Sequence, residues 1–395
     1  MKKTTPLSIF LLATAALLVT SCATKVPGTW TPLETQTGDA FYTINFVSPN
    51  EGWLNGQTDR SFVSPEDDNA NANSNQKPKP VASENKKERS DHGKKPEDPL
   101  KANEGFEVLH TTDSGKTWSE IPDLFKYKIR SVWFVDPRIG WALTIDHDIL
   151  NSTDGGQTWT QQRKAGTVKL ILKGNLRNPE TDQPEQIEHI YFVDKNHGWA
   201  WGGGKSDEYT EQPGIFLTTV NGGQNWNKVT YPFTQDVLGI FFLDNNRAWA
   251  STKDGFYRTT DSGLNWAKIE TRLPEIAFTS ICFIDDQHGW VVGRSGRMAK
   301  TTDGGKTWWK MVDIKNDFKM QQVYFLDKNQ GWAVGSFGDE QAAILYSADA
   351  GDTWVSVEAP APRKLMSVVF VGGNTGWAAG LGGSVLRFDP SSGKH

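Results

Sequence analysis

Residues 285–291 read DDQHGWV and residues 301–308 read TTDGGKTW, and these two stretches decide the fold. The first follows an apolar run at residues 280–284 and combines a turn-forming Asp with a Gly-Trp step. Apolar runs rich in β-branched and aromatic residues that end in Asp, Asn and Gly are typical of strands followed by tight turns. We therefore interpret the Gly-Trp segment as the second strand of a hairpin.

Both stretches recur along the chain. The first motif occurs seven times in all, and its Trp residues are Trp53, Trp141, Trp199, Trp249, Trp290, Trp332 and Trp377. The second motif is the Asp box, Ser/Thr-x-Asp-x-Gly-x-Thr-Trp, and its six copies have as their Asp position Asp113, Asp154, Asn221, Asp261, Asp303 and Asp349. In turns, Asp and Asn side chains bond their own backbone and Gly supplies positive φ. These residues are therefore interpreted as structural, not as metal ligands or an acid–base pair.

The spacing of the motifs gives the size of the repeating unit. The last four Trp residues of the first motif are separated by 41, 42 and 45 residues. A unit of this length with four strands corresponds to one propeller blade. The sequence thus predicts an all-β fold, a seven-bladed β-propeller with four-stranded antiparallel blades at residues 28–390, followed by a tail at 391–395.

The two ends of the chain are predicted to meet in one blade. There are seven copies of the first motif but six Asp boxes, and the last unit stops without a Trp strand. Residues 28–33, GTWTPL, match the strands that follow the boxes. We expect the strand around Trp30 to complete the seventh blade, which would close the ring and remove an unpaired edge.

The N-terminus has the pattern of a lipoprotein leader. Two Lys residues precede an apolar run at 7–19 that is too short to span a bilayer, so 1–21 is predicted to be a signal peptide. Small residues before Cys22 resemble the bacterial lipobox, which makes Cys22 the predicted lipid anchor and 22–27 a tether. The residue directly after Cys22 is Ala23 and not Asp, which by resemblance to Gram-negative sorting rules favours the outer membrane. The expected location is the cell envelope, on the outer membrane or facing the periplasm; an ordinary signal peptide is the alternative.

Insertions interrupt the repeat at 60–104, 162–186, 202–213 and 336–342. The first is rich in Asn, Lys, Pro, Glu and Ser and is predicted to be a disordered insertion in blade 1. The second is an extended link between blades 2 and 3. In a four-stranded meander all four lie on one face, and loops on a rigid scaffold often carry function.

The extended link is the candidate partner-binding segment. Its basic residues follow one another without an intervening acidic residue, and they are Arg163, Lys164, Lys169, Lys173 and Arg177. The alternative is neutral growth of loops that tolerate insertion.

The combined motifs resemble the photosystem II stability and assembly factor family over about residues 28–390. The resemblance implies an exported, non-enzymatic propeller, without a cofactor, that binds newly made membrane-protein subunits. It leaves two clients open, a photosystem subunit or, in a bacterial relative, another membrane complex. We expect a monomer that contacts the membrane through its lipid alone.

Sialidases and glucan-cleaving enzymes also carry Asp boxes on propellers, so a carbohydrate-binding protein or glycoside hydrolase is the rival class. The Arg-Ile-Pro segment typical of sialidases does not occur, and we predict no catalytic residue. No nucleotide-binding Gly loop or Cys/His metal cluster is evident in the sequence. The net charge of −5 argues against nucleic acid as a partner.

Overall fold

A computed structural model of the chain describes residues 25–35, 40–57, 106–169, 171–172, 182–203, 210–211, 214–233, 236–271, 278–310 and 317–390. The predicted signal peptide at 1–21, the anchor Cys22, the predicted insertion at 60–104 and the tail at 391–395 lie outside the described residues. The described residues form strands and one 3-10 helix, Pro122–Lys126. None of the helical structure in these ranges is long and apolar enough to cross a membrane.

Seven four-stranded antiparallel sheets form the blades. Blade 1 consists of β2 Ala40–Phe46, β3 Gly52–Gln57, β4 Glu107–Thr111 and β5 Ser119–Glu120. Blade 2 consists of β6 Ile129–Phe134, β7 Gly140–Thr144, β8 Ile149–Ser152 and β9 Thr160–Arg163. Blade 3 consists of β13 His189–Phe192, β14 Gly198–Gly202, β16 Ile215–Thr219 and β17 Asn227–Val229. Blade 4 consists of β18 Val237–Phe242, β19 Ala248–Thr252, β20 Gly255–Thr259 and β21 Ala267–Ile269. Blade 5 consists of β22 Phe278–Phe283, β23 Gly289–Gly293, β24 Met298–Thr301 and β25 Trp309–Lys310. Blade 6 consists of β26 Phe318–Phe325, β27 Gly331–Phe337, β28 Gln341–Ser347 and β29 Val355–Val357. Blade 7 consists of β30 Leu365–Val371, β31 Thr375–Gly380, β32 Val385–Pro390 and the N-terminal strand β1 Gly28–Leu33.

The N-terminal strand closes the ring, which confirms the predicted seven-bladed propeller. β1 pairs antiparallel with β32 as the fourth strand of blade 7, with Trp30 opposite Phe388. The Trp30 indole lies edge-on to Phe370, with ring centroids 6.0 Å apart at 79°. In blade 1 the box residue Trp118 lies on Phe46 in the same way, at 6.2 Å and 85°. Trp30 therefore takes the place of an Asp-box Trp in the blade that has no box.

Each Trp of the first motif lies between two blades. Trp141 stacks on Phe192, in the first strand of the next blade, with ring centroids 3.4 Å apart at 4°. The same stacking joins the pairs Trp53–Phe134, Trp249–Phe283, Trp290–Phe325 and Trp377–Phe46. All seven of these Trp side chains are at most 2% exposed. Because large aromatic side chains dominate the energetics of burial, these residues hold neighbouring blades together.

A Gly precedes six of these seven Trp residues and leaves room for the Phe of its own blade. A Cβ on Gly140 would lie 2.5 Å from the ring of Phe134. Blade 4 has Ala248 at this position, and the adjacent stack of Trp199 on Phe242 is tilted by 21°. The stack of Trp332 on Phe370, in a blade that has Gly376 at this position, is tilted by 24°, so the tilt does not depend on the replacement of Gly by Ala.

In blades 1 to 6, the turn of the first hairpin and the Asp-box turn lie on one face of the propeller, here called the turn face. The Ser114 N–H of the first Asp box donates to the Asn50 carbonyl of the first hairpin at 2.8 Å. The corresponding bonds in the next five blades have as donors Gly155, Gly222, Ser262, Gly304 and Ala350. The opposite face, the link face, carries the loops between second and third strands and the links between blades.

The expansion predicted at 336–342 is not a longer loop. β27 and β28 are each seven residues long, and Phe337 pairs with Gln341 at the end of their ladder. The side chains of Ser336 and Ala342 are buried. The extra residues therefore lengthen a hairpin, because their side chains fit the alternation of the two strands.

Candidate partner-binding site

Two insertions meet on the link face of blades 2 and 3. In the link between these blades, β10 (Thr167–Lys169) pairs with β12 (Asp182–Pro184), and this pair is called the link ribbon below. β11 (Ile171–Leu172), in the same link, pairs with β15 (Thr210–Glu211) in the loop of blade 3. The candidate segment is therefore joined by backbone hydrogen bonds to a neighbouring blade.

A buried carboxylate fastens the base of the link ribbon. Glu185 is 6% exposed, and it accepts hydrogen bonds from the guanidinium of Arg163, the Lys228 ammonium at 3.0 Å and the Gly166 N–H at 3.1 Å. The Glu185 N–H in turn donates to the Gly166 carbonyl at 2.9 Å. This arrangement, here called the Glu185 clamp, ties the ribbon to the outer strands of blades 2 and 3.

The clamp keeps Glu185 ionised. Burial is the largest influence on this carboxyl and raises its pKa, but the hydrogen bonds from Arg163, Lys228 and Gly166 outweigh burial, so the net pKa is lowered. A paired carboxylate of this kind is costly to break, because removal of one partner leaves a buried charge uncompensated.

The five predicted basic residues have different environments. Arg163 lies at the end of β9 with its side chain 18% exposed in the Glu185 clamp, so its charge is used inside the protein. Lys164 and Lys169 are exposed, the latter in β10. Lys173 and Arg177 lie outside the described residues. The structure thus separates a structural Arg163 from the exposed lysines beside it.

Two further basic residues begin blade 2 on the same face. Lys128 and Arg130 are both exposed, and Arg130 is the extra residue of a β-bulge between Ile129 and Ser131. The Lys128 carbonyl accepts a hydrogen bond from Ile145, in the loop whose Asp148 also accepts one from the backbone of Ala165. This loop connects the start of blade 2 to the base of the link ribbon. We did not predict these two residues from the sequence; the Lys-Ile-Arg string at 128–130 is the signal that could have found them.

The Asp-box side chains are occupied by their own turns. In the first box Asp113 accepts hydrogen bonds from the Thr117 N–H at 2.9 Å and the Thr117 hydroxyl at 2.7 Å, which lower its pKa. Asp154, Asp261, Asp303 and Asp349 accept equivalent bonds, which outweigh burial and lower their pKa values. Asn221 accepts them through its amide oxygen. Each of these side chains forms hydrogen bonds within its own turn.

Two kinds of reactive side chain among the described residues bear on catalysis, metal-ligating groups and the Cys282 thiol. No group of three or more His, Cys, Asp or Glu side chains there is placed to hold a metal ion. The Cys282 thiol is buried, which raises its pKa to about 12 against a small opposing effect of the Phe325 backbone. The exposed large hydrophobic side chains of these ranges are Val220, Leu264, Trp309 and Phe337.

Solved structures with this architecture include two of YCF48. The structure of YCF48 bound to a D1 peptide is 18% identical, with a TM-score of 0.60 over 92% of this chain and 96% of that chain. YCF48 from Cyanidioschyzon merolae is 19% identical, with a TM-score of 0.60 over 92% and 100% of the two chains. Virginiamycin B lyase from Staphylococcus aureus is 12% identical, with a TM-score of 0.57 over 91% and 98%. At these identities the likeness shows the fold alone.

The sequence itself identifies the family. A search of curated protein sequences finds no match. The family model described as photosynthesis system II assembly factor YCF48 matches residues 124–277 and 266–361, which together span more than half of the chain. The chain therefore belongs to the family of the photosynthesis system II assembly factor YCF48.

Proposed function

We propose that this protein is an exported, lipid-anchored assembly factor that binds an exposed segment of a membrane-protein subunit and catalyses no reaction. Membership of the YCF48 family supports a role in binding proteins during assembly. A structure with the same fold holds a D1 peptide, which supports a peptide segment as the form of the ligand. The client can be a photosystem subunit or a subunit of another membrane complex.

One observation carries the choice of surface. The link ribbon is clamped at its base by Glu185, and two lysines with exposed side chains lie at this base: Lys164, between β9 and the ribbon, and Lys169, in β10. A fixed base reduces the ordering cost of binding, and exposed cations attract an acidic segment and steer its approach. We assign to this ribbon, with Lys128 and Arg130 beside it, an acidic stretch of the client.

The rival enzymatic function has less support. The Asp-box carboxylates accept hydrogen bonds within their own turns, and the seven inter-blade Trp side chains are buried. Neither set is therefore placed to bind or cleave a sugar. The lyase shares the fold at low identity, and one fold hosts many functions. Turnover of a fluorogenic glycoside panel by the purified protein would contradict the proposal.

The client surface is tested by charge reversal on the link face. The variant Lys164→Glu, Lys169→Glu, Lys173→Glu, Arg177→Glu keeps Arg163 and the Glu185 clamp intact. Crosslinking in native membranes followed by mass spectrometry should show a loss of client peptides. The control makes the same change in charge on the turn face, with exposed residues Lys116→Glu, Lys195→Glu, Lys306→Glu and Lys328→Glu. Undiminished crosslinking of the first variant, or equal loss in both, would exclude the ribbon.

The anchor is tested separately. In a bacterial host, the full chain should carry lipid on Cys22 and sediment with membranes, and Cys22→Ser should release it into the soluble envelope fraction. More than one acyl chain gives stable attachment at about 0.8 kcal/mol for each buried CH₂ group. Mass spectrometry of the N-terminal peptide identifies the modification. An unmodified Cys22 in membrane-associated protein would refute the anchor.

A further inference from the structure

The direction of β1 determines which part of the propeller lies next to the proposed anchor. Phe388 pairs with Gly376, the second residue of β31, on one side and with Trp30 on the other. Gly376 directly follows the hairpin, as Gly52 does in blade 1, where it pairs with the first Asp-box residue, Thr111. The chain therefore enters blade 7 at the turn face, at the position that an Asp box occupies in the other blades.

The entering residues are packed onto the fold up to four residues from Cys22. Val26 contacts the hydrophobic cluster that contains Trp30, Trp332 and Phe370. Since an extended chain spans at most about 3.6 Å per residue, four residues before Val26 can reach no farther than roughly 14 Å. A lipid on Cys22 therefore holds the blade 7 corner of the turn face at the membrane surface.

Charge on the turn face favours the same corner. The hairpins and boxes of blades 1 to 6 carry many carboxylates, namely Glu51, Asp113, Asp136, Asp154, Asp194, Asp244, Asp261, Asp285, Asp286, Asp303, Asp327, Asp349 and Asp352. The cations in the same turns are fewer, namely Lys116, Arg138, Lys195, Arg247, Lys306 and Lys328. Blade 7 has Gly372, Gly373 and Asn374 in its hairpin, all exposed and uncharged, and β1 in place of a box.

Approach to a bilayer discriminates between these sectors. Charged groups lose hydration near a low-dielectric surface, and carboxylates are also repelled by anionic headgroups within about 8 Å at physiological salt. The uncharged hairpin of blade 7 avoids both costs. The acidic turns carry both costs, which are largest for blades 5 and 6, where three carboxylates face one lysine in each blade, so these turns are repelled from the membrane.

We propose that the hairpin of blade 7, Gly372–Asn374, is the surface that rests on the lipid bilayer, with the acidic remainder of the turn face tilted away. This inference rests on the proposed anchor at Cys22. In this orientation blade 7 is membrane-proximal, while the link face points away from the bilayer. The link ribbon then remains accessible to the part of a client that projects from the membrane.

Site-specific labelling of the full lipidated chain in vesicles of phosphatidylcholine and phosphatidylglycerol tests this orientation. An environment-sensitive dye is attached at Asn374→Cys in blade 7, at Leu264→Cys in the exposed box of blade 4, or at Lys164→Cys on the link face. Spin-labelled headgroup lipid serves as the quencher. The buried Cys282 should not react in the folded protein, and the chain without an introduced Cys is the labelling control.

We expect a blue shift and quenching of the dye at position 374 and neither effect at positions 264 and 164. Equal quenching at all three positions, or stronger quenching at 264 or 164, would overturn the orientation while leaving the anchor intact. Mass spectrometry of the same sample reports the lipid on Cys22. An unmodified Cys22 would overturn the anchor and this inference together, so the two failures are distinguishable.

Discussion

Trp290 and Trp332 occupy the same position in neighbouring blades, but their indole N–H groups differ in hydrogen bonding. The Trp290 indole N–H donates to the Ala350 carbonyl, in the Asp box of blade 6, at 2.9 Å. Trp141, Trp199, Trp249 and Trp377 reach the box of the next blade in the same way. The buried N–H groups of Trp332, which faces the blade without a box, and of Trp53 have no acceptor among the described residues. The motif Trp alone therefore does not decide whether this bond forms.

Replacement by Phe should separate the two indoles. Trp290→Phe removes the N–H and leaves the partly buried Ala350 carbonyl without its donor, whereas Trp332→Phe removes a donor that is already unpaired. We expect Trp290→Phe to lower the free energy of unfolding by about 1 to 3 kcal/mol more than Trp332→Phe. Urea denaturation of the two variants measures the difference. Equal losses would mean that the bond to Ala350 contributes nothing.

The Asp box contains a natural comparison for a second substitution. Asp303 accepts the Thr307 N–H at 2.8 Å, and Asn221 accepts the corresponding Asn225 N–H at 3.0 Å through an amide oxygen. Asp303→Ala removes the acceptor and should cost about 1 to 3 kcal/mol. Asp303→Asn keeps one acceptor oxygen and should cost less. Chemical denaturation ranks the two, with exposed Asp339→Ala as the control; an equal cost for Ala and Asn would show that the acceptor is unimportant.

At the scale of the element, β1 is the most consequential strand, because it joins the two ends of the chain. It pairs along its whole length with β32, and Trp30 fills the site between Trp332, Phe370 and Phe388. Trp30 is 6% exposed. Without this strand, blade 7 would present an open edge to solvent.

Truncation of Trp30 tests the closure of the ring. Trp30→Ala should destabilise the protein by about 3 to 5 kcal/mol, because it leaves a cavity in the aromatic cluster of blade 7. Trp309→Ala is the matched control, since that indole is 49% exposed. Thermal unfolding followed by circular dichroism compares them. Equal melting temperatures would contradict closure by β1, and deletion of 27–35 should lower the melting temperature further.

At the scale of the whole molecule, the Asp boxes act together. Each of the five Asp residues in these boxes has a lowered pKa in the folded protein, and the boxes lie on five blades. Between the folded pKa and the ordinary value of 3.8 the unfolded chain binds more protons than the folded one. Stability from these residues is therefore complete above the unfolded pKa and declines as the pH falls through the folded pKa.

Acid unfolding should report this shared contribution. The free energy of unfolding is expected to be nearly constant from pH 7 to about 5 and to fall steeply below about pH 4. The variant Asp303→Asn should show a shallower decline, because it carries one fewer of these carboxylates. Urea titrations at several pH values measure both slopes. A wild-type slope retained in the variant would exclude Asp303 as a contributor.

The sequence alone contained the information for the number of blades, their strand order and the closing strand. Motif Trp residues at regular spacing, followed by Asp boxes, specify local hairpins and turns, and Trp30 has the same sequence context as Trp118. These features are predictable because each unit must bury its apolar faces against the next. The environment of the proposed binding surface was predictable only in part, since exposure of Lys164 followed from its loop but the pairing of Arg163 with Glu185 did not.

Tertiary structure alone decided how long-range partners meet. Glu185 reaches Arg163 and Lys228 across two blades, β11 pairs with β15 in another insertion, and the 336–342 expansion becomes a longer hairpin. Motif spacing carries no information about such contacts, because they depend on where separate loops are placed by the closed ring. The sequence by itself determined the repeating unit and its number, through local turns and apolar faces, whereas the assembled ring decided which charges are paired and which face solvent.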